Sequence, residues 1–256
     1  MIFHYKLIIQ YKGTLYLGWQ VQPESSGKTV QGELNRALRT LSKSQEVKSL
    51  GAGRTDSGVH ALGQVAKVSI PLEIDPKNLI KAINAHLPDD IRIIHAEVTD
   101  EKFFPTVDAV SKEYHYRFTT QKSPTAFQTE LIYNQSFDLD IDLMRQACKI
   151  LVGEHDFLNY FCEGTEVSST VRTIFSCEIL HIPQDGFNML PEHYALKIIG
   201  NGFLKQMVRL LMGALWNVGR GKVTLEQFRK SLSVASEKRL GPTAPPEGLY
   251  MVRVNY

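Results

Sequence analysis

The stretch GAGRTDSGVHALGQVAKV, residues 51–68, combines a glycine-rich loop with the start of a strand. Its four glycines frame Arg54, Asp56 and His60 within a short length of chain. An ordinary turn uses glycine or aspartate for its backbone geometry, and seldom needs an arginine, an acid and a histidine packed so closely. The apolar residues after Gly63 predict a strand. This loop is therefore the first place to look for a functional site.

The known phosphate-binding loops do not fit this stretch. A P-loop requires lysine followed by serine or threonine after its last glycine, and Val59 and His60 stand there instead. The dinucleotide-binding fingerprint fails because Asp56 occupies the place of the third glycine. A carboxylate inside such a loop would also repel a phosphate. The nucleophile elbow of serine hydrolases fails because Ser57 has no glycine two residues before it.

The chemistry of Asp56 is that of a single carboxylate. Without a paired acid or a metal cluster, it could act as a nucleophile or a base. The ordinary glycosidase mechanism requires two carboxylates, and the loop offers one. The alternative interpretation is a turn aspartate, which accounts for most Asp-Ser-Gly sequences. We interpret His60 as the donor or acceptor of a hydrogen bond that orders the loop, because members of a catalytic triad normally come from distant segments.

Composition excludes several classes of protein. The chain has 256 residues, 43% of them hydrophobic and 22% charged, which is typical of a globular protein with one large domain or two modest lobes. Its net charge of +2 is too small to indicate nucleic-acid binding by itself. Three cysteines without a C-x-x-C pair indicate neither a disulfide framework nor a zinc site and fit a reducing compartment. We expect a cytoplasmic protein without a membrane span.

Hydrophobic periodicity predicts an alternation of strands and helices. In the first half we expect strands over 3–11, near 47, over 63–70 and over 90–98, with helices over 29–42 and 75–87. In the second half we expect strands over 112–120, 171–182, 193–200 and 248–256, with helices over 140–153, 202–219 and 224–233. Thr29 and Asp75 are the predicted N-caps of the first two helices. Residues 121–136 and 184–191 are predicted loops.

Each half therefore has the order β-α-β-β-α-β, which is the ferredoxin-like pattern. We expect an α+β protein with two such lobes, residues 1–108 and 109–256, whose sheets join side by side around a central cleft. A basic surface is also predicted near the end of the chain, from Arg220, Lys222, Arg229, Lys230, Lys238 and Arg239. From charge alone, a solvated helix face is the preferred interpretation of these residues.

The loop and several other segments resemble the tRNA pseudouridine synthases of the A type. The motif of residues 51–68 is long and specific. Further matches are YKGTLYLGWQ, TVQGELNRAL, NAHLPDDIRI, SKEYHYRF, LVGEHDF, VRTI, GNGFLKQMVRLLMG and PPEGLYMVRVNY, which together span nearly the whole chain. The resemblance implies the pseudouridine synthase fold, with the first lobe carrying the catalytic loop and the second completing an RNA-binding cleft.

The resemblance also implies an activity and its partners. The expected reaction is isomerisation of uridine to pseudouridine at positions 38, 39 and 40 of the tRNA anticodon stem-loop. It needs no cofactor and no metal, because no group is gained or lost. By the same resemblance we expect a homodimer with tRNA as its partner.

Five residues take roles from the resemblance. Asp56 matches the catalytic aspartate, and Arg54 matches the arginine that draws the uridine out of its stack. Tyr114 matches the tyrosine that stacks on the target base, whereas Tyr116 on the same strand face is expected to be mainly structural. Arg209 matches the arginine that pairs with the aspartate, and Leu249 matches an apolar residue that closes over the base. Three of these residues have a structural alternative: packing for Tyr114 and Leu249, and an exposed helix charge for Arg209.

Two departures from the family pattern concern tRNA docking. The opening turn, usually Tyr-Asp-Gly, has Lys12 in its centre, and a common His-Ala-Arg pattern is replaced by Phe104-Pro105-Thr106.

The main rival hypothesis is a tRNA-binding or tRNA-folding module without catalysis, which would have no need of a carboxylate beside phosphate. An unrelated aspartate-dependent hydrolase would need a second acid or a metal.

Overall fold

The computed structural model describes residues 1–23, 26–121, 125–126, 128–162, 167–184, 190, 192–236 and 238–256. By their contacts these residues form two compact units. Unit 1 comprises Met1–Val110 and Tyr250–Tyr256, and unit 2 comprises Ser111–Leu249. The final strand, which the sequence assigned to the second lobe, thus groups with unit 1.

Unit 1 has the predicted β-α-β-β-α-β order, followed by the final strand. Its elements are β1 (Phe3–Tyr11), α1 (Val30–Ser42), β2 (Lys48–Gly51), β3 (His60–Ile70), α2 (Pro76–Asn84), β4 (Ile91–Val98) and β10 (Leu249–Asn255), the first residue of which belongs to unit 2. A short 3-10 turn covers Gly13–Leu15. The predicted caps are confirmed: Thr29 accepts a hydrogen bond from the Gly32 amide, and Asp75 accepts from Lys77 and Asn78.

The sheet of unit 1 is built around β3. The strand order is β4-β1-β3, and β2 and β10 both pair with β3. β2 lies antiparallel to the end of β3, whereas β10 runs parallel to its beginning, with Tyr250 opposite His60. On β1 alternate residues are buried, so that Tyr5, Leu7 and Ile9 contribute to the core, as the period of two predicts. The glycine loop enters β3 at the end next to β10.

Unit 2 is also a mixed α and β structure. Its elements are β5 (Ser111–Thr119), β6 (Tyr133–Asn134), α3 (Ile141–Leu151), β7 (Gly153–Asp156), β8 (Val171–Ile182), β9 (His193–Gly200), α4 (Met207–Gly219) and α5 (Leu225–Lys230). The sheet order is β5-β9-β8-β7 with antiparallel neighbours, and β6 pairs in parallel with β5. The α+β class is confirmed. The side-by-side sheets and the cleft stay predictions.

Two predictions of secondary structure need correction. The helix predicted over 202–219 begins only at Met207, because Gln206 has a left-handed backbone (φ 64°) that cannot continue a helix turn. The apolar pattern extends further back because Phe203 packs edge-to-face on Tyr114, with ring centroids 5.0 Å apart. The short strands β6 and β7 were not predicted. Of the predicted loops, residues 122–124, 127, 185–189 and 191 lie outside the described residues.

Candidate functional site

The glycine loop of unit 1 is fixed mainly through its backbone. The Thr55 carbonyl accepts a hydrogen bond from the Trp19 amide (3.1 Å), and the Gly58 amide donates to the Tyr16 carbonyl (3.2 Å). Thr55 is buried, and its hydroxyl lies 2.8 Å from that of Tyr11. The loop is therefore held on both sides of Asp56 by the segment that follows β1.

Close approach of the two segments depends on Gly18. Its backbone is left-handed (φ 97°), and a Cβ at this position would overlap the carbonyl oxygen of Thr55. Only glycine can combine this conformation with such a contact. The match of YKGTLYLGWQ to the family pattern thus has a physical meaning, because this segment shapes the loop.

Asp56 lies at the centre of the loop with a partly exposed side chain. Its carbonyl accepts a hydrogen bond from the Val59 amide (3.2 Å), which closes the turn. Arg54 precedes it by two residues and is exposed. The structure thus places a carboxylate and a guanidinium on one hydrogen-bonded loop where solvent reaches both. This arrangement can present an acid and a cation to a large ligand.

His60 has the structural role that the sequence predicted. Its Nδ1 accepts a hydrogen bond from the Gly13 amide (3.0 Å), and its ring stacks on Tyr250 with centroids 4.7 Å apart. The ring is 1% exposed. It therefore ties the turn after β1 to the beginning of β3, next to the loop.

In unit 2, Tyr114 and Tyr116 lie on the buried face of β5. Tyr114 is 7% exposed, pairs with Ile198 across the strand and packs against the edge of Phe203. Tyr116 is fully buried, and its hydroxyl donates to the Pro245 carbonyl (2.8 Å). Burial raises the pKa of Tyr116 far above that of an ordinary tyrosine. Tyr116 is thus a structural residue, as expected.

Arg209 lies in the first turn of α4 and is half-buried. Its Nε donates to the Ala244 carbonyl (2.6 Å), and its own carbonyl accepts from the Ala244 amide (3.1 Å). One turn later, a Cβ on Gly213 would overlap the Pro242 carbonyl, so the segment after α5 lies directly against this face of the helix. Arg209 is therefore not a simple exposed helix charge.

The segment 244–248 leads from Arg209 to Leu249. It is held by Arg209 at Ala244 and by Tyr116 at Pro245. It then forms a short 3-10 turn over Pro246–Gly248, after which β10 begins with Leu249, which is 6% exposed. Tyr114, Arg209 and Leu249 thus belong to unit 2. Arg54 and Asp56 belong to unit 1.

The predicted basic residues all lie in unit 2. Five of them are exposed, namely Lys222, Arg229, Lys230, Lys238 and Arg239. Arg220 differs, because its guanidinium lies 3.6 Å from the centre of the Phe137 ring. This cation–π contact favours a role in packing for Arg220.

Sequence reasoning missed Lys112 and Arg172, two cations of unit 2. Lys112 is 9% exposed and lies on the same strand face as Tyr114, where an apolar residue is expected. A lysine in the apolar phase of an alternating strand was the signal that could have found it. Arg172 lies near the start of β8 and gave no such signal, because that strand does not alternate cleanly.

Among the residues that the structure describes, no three His, Cys, Asp or Glu side chains are grouped so that they could hold a metal ion. No helix formed by them is both long and apolar enough to cross a membrane.

Comparison with known proteins agrees with the resemblance. The model of the family described as tRNA pseudouridine synthase matches residues 7–104 and 147–256, which include Arg54, Asp56, Arg209 and Leu249. The chain is 40% identical to tRNA pseudouridine synthase A of Bacillus subtilis (strain 168) over 252 residues, and 39% identical to that of Bacillus pumilus (strain SAFR-032) over 252 residues. It is 36% identical to tRNA pseudouridine synthase A 2 of Desulfotalea psychrophila over 260 residues. Each match covers 98% of both chains, so this chain belongs to the tRNA pseudouridine synthase family.

Proposed function

We propose that this protein isomerises uridine at positions 38, 39 and 40 of the tRNA anticodon stem-loop, with Asp56 as the catalytic residue. Membership of the family makes the chain an isomerase that acts on tRNA as a pseudouridine synthase. The positions in tRNA and the roles of the residues are the parts that we propose. The main observation in support is that Asp56 and Arg54 are both accessible to solvent on a loop that main-chain hydrogen bonds hold in place.

The reaction leaves the composition of the uridine unchanged. The bond between N1 of uracil and C1′ of ribose breaks, the base turns over, and a bond forms between C5 and C1′. The hydrogen on C5 is lost as a proton, and N1 gains one. Asp56 could attack the sugar, add to the base or remove a proton from the ribose, and the fixed backbone around it suits each of these roles.

Arg54 and Tyr114 are proposed to handle the target base. A base inside a stem is shielded, so the enzyme must turn it out of the stack before reaction. Arg54 is exposed and can occupy the place that the base leaves. Stacking on an aromatic ring stabilises a base by about 1–3 kcal/mol and tolerates its rotation. Because Tyr114 is only 7% exposed, its surroundings have to open for a base to stack on it.

Arg209 and Leu249 are proposed to complete the site. Arg209 would pair with the carboxylate of Asp56, and Leu249 would close over the base. The hydrogen bond from Arg209 to Ala244 couples the arginine to the segment 244–248, which leads to Leu249. Movement of that segment would then affect both residues.

The test is release of tritium from anticodon stem-loop transcripts labelled at uridine C5. Transcripts with a single uridine at position 38, 39 or 40 are compared with one whose only uridine lies elsewhere. We expect release from the first three with the wild type and none with Asp56→Ala, although Asp56→Ala still binds the RNA.

A matched control is Asp100→Ala, which removes another loop aspartate of unit 1. Asp100 accepts a hydrogen bond from the Lys102 amide (2.6 Å) and has no proposed role in the reaction. It should retain release. Equal release from the displaced uridine would overturn the proposed positions, and release by Asp56→Ala would overturn its catalytic role. Tight binding by the wild type without release from any tRNA would favour the non-catalytic binding module.

The proposal extends to the partner and the assembly. The exposed basic residues are proposed to contact tRNA phosphates, which would make affinity depend on salt. Neutralising Lys238 and Arg239 should then lower the slope of log affinity against log salt, and an unchanged slope would refute the contact. A homodimer and a cytoplasmic location are also proposed, and sedimentation of the purified protein decides the first of these.

A further inference from the structure

Two cations of unit 2 converge beside Tyr114. Lys112 precedes Tyr114 by two residues on β5, so both side chains project from the same face of the strand. Across the sheet, Lys112 stands opposite Gly200 of β9, and a Cβ on Gly200 would lie 3.3 Å from the ring of Phe203. Lys112 therefore lies beside the Tyr114–Phe203 ring pair.

Arg172 approaches the same place from β8. Its guanidinium lies next to Gly202, where a Cβ would be 3.6 Å from its Nε. Its Nη1 donates to the carbonyls of Ser169 (2.9 Å) and Val171 (2.6 Å). Carbonyls orient a guanidinium without neutralising its charge. Arg172 and Lys112 are thus directed to one connection, residues 200–203, between β9 and α4.

The electrostatics of the pair are those of a site that attracts an anion. Burial lowers the pKa of Lys112, and the nearby charge of Arg172 lowers it further. Burial also lowers the pKa of Arg172. Lys112 and Arg172 are thus two cations within electrostatic range of each other. A phosphate near both would accept charge-assisted hydrogen bonds from them.

We propose that Lys112 and Arg172 together bind one backbone phosphate of the tRNA, that of the nucleotide whose base stacks on Tyr114. This inference rests on the proposed function of Tyr114. A phosphodiester is the anion that fits, because the pair lies beside the ring that is proposed to hold the base. The pair would position the nucleotide after it leaves the stem, whereas the exposed basic residues would hold the rest of the tRNA.

The experiment measures affinity for the anticodon stem-loop at several KCl concentrations. Each phosphate contact contributes about 0.7–1 to the slope of log affinity against log salt. Arg172→Gln should make the slope less steep by that amount. Arg172→Lys, which keeps the positive charge, should retain most of the wild-type slope. Because the pair binds one phosphate, the double variant Lys112→Gln/Arg172→Gln should lower the slope no further than Arg172→Gln alone.

Arg92→Gln is the matched control. Arg92 is also half-buried and donates through Nη1 to two carbonyls, those of Pro88 and Ile91, but it is paired with Asp89 (2.6 Å). Its loss should leave the slope unchanged. An equal decrease for Arg92→Gln, or no decrease for Arg172→Gln, would overturn the phosphate site.

A stem-loop with one neutral methylphosphonate at the target uridine identifies the phosphate. With this RNA the wild type should show the reduced slope, and Arg172→Gln should cause no further reduction. A further reduction would show that Arg172 binds another phosphate and would overturn the assignment. Tritium release with Asp56→Ala is measured in parallel. Release there would refute the catalytic role of Asp56 without changing the salt slopes, so the two failures can be told apart.

Discussion

The glycine loop of unit 1 and the segment 244–248 of unit 2 differ in what mainly holds them in place. The loop is fixed by main-chain hydrogen bonds to Tyr16 and Trp19 and by close approach at Gly18. The segment 244–248 has one main-chain hydrogen bond, from the Ala244 amide to the Arg209 carbonyl, and two long side chains, Arg209 and Tyr116, donate to its carbonyls. The proposed roles agree with this difference, because a catalytic group requires a fixed position, whereas a residue proposed to close over a base has to move.

The difference predicts how each region responds to substitution. Main-chain anchoring tolerates many changes of side chain but none that adds a Cβ at the point of contact. Side-chain anchoring depends on single hydrogen bonds, each of which stabilises by about 0.5–1.5 kcal/mol. Substitutions that strain the backbone should therefore disturb the glycine loop of unit 1. In unit 2, substitutions that remove a single hydrogen-bond donor should disturb the segment 244–248.

The largest effect is expected for Gly18→Ala. The left-handed backbone costs about 1–2 kcal/mol for a residue with a Cβ. The overlap with the Thr55 carbonyl adds about 1–3 kcal/mol. The free energy of unfolding should thus decrease by about 2–5 kcal/mol, measured by urea denaturation, and tritium release should fall with it.

Gly221→Ala separates the cost of the left-handed backbone from the cost of the Cβ overlap. Gly221 is also left-handed (φ 68°), but a Cβ there would meet no atom within 4 Å. Its substitution should cost only about 1–2 kcal/mol and spare activity. If both variants lost the same stability, close approach at Gly18 would not hold the loop.

A smaller effect is expected for Tyr116→Phe in unit 2. It removes the hydrogen bond to Pro245 and should destabilise the protein by about 1 kcal/mol. Because the segment leads to Leu249, we also expect kcat/KM to decrease by roughly tenfold, equivalent to about 1.4 kcal/mol.

Tyr160→Phe is its control within the same unit. The Tyr160 hydroxyl lies 2.7 Å from that of Ser231, away from the segment 244–248. Its loss should cost similar stability and leave kcat/KM unchanged. A decrease in kcat/KM that is equal for both variants would show that stability alone, rather than the position of the segment, controls activity.

The smallest expected effect is on the pH dependence of stability, where the two sheets also differ. Burial lowers the pKa of His115 in unit 2 below the ordinary value of 6.5. In unit 1 the hydrogen bond from Lys6 lowers the pKa of Glu97 below the ordinary value of 4.5. In both cases the unfolded chain binds a proton before the folded one does, so stability is lost as the pH falls.

The two losses should occur in separate ranges. His115 contributes its full stability above about pH 6.5 and loses it as the pH falls from there. The contribution of Glu97 is lost only below about pH 4.5. The check is to measure denaturant midpoints between pH 8 and 3. His115→Gln should weaken the dependence of the midpoint on pH in the upper range, and Glu97→Gln should weaken it in the lower range. Flattening of the same range by both variants would contradict the assignment.

Most elements could be predicted from the sequence because local signals determine them. Strands β8 and β9 have the predicted ends, and Thr29 and Asp75 cap their helices as predicted. The start of α4 could not be found in this way, because Phe203 is apolar owing to its contact with Tyr114 and not to helical periodicity. Local patterns do not distinguish these two causes.

The residues of the candidate site could be predicted from the sequence only in part, for a similar reason. The family motif drew attention to Asp56, and the glycines predicted a tight loop. The partners of that loop, Tyr11, Tyr16 and Trp19, come from another segment, and no spacing rule connects them with it. The same holds for Arg209 and Ala244, which are far apart in the chain. Contacts of this kind depend on tertiary packing.

The grouping of Tyr250–Tyr256 with unit 1 has a consequence for biosynthesis. These residues follow the whole of unit 2 in the chain, and Tyr250 stacks on His60 beside the glycine loop. A ribosome therefore completes the 139 residues of Ser111–Leu249 before it supplies the strand that unit 1 still lacks. A nascent chain that stops short of β10 would leave the start of β3 unpaired on that side and open to association with other chains.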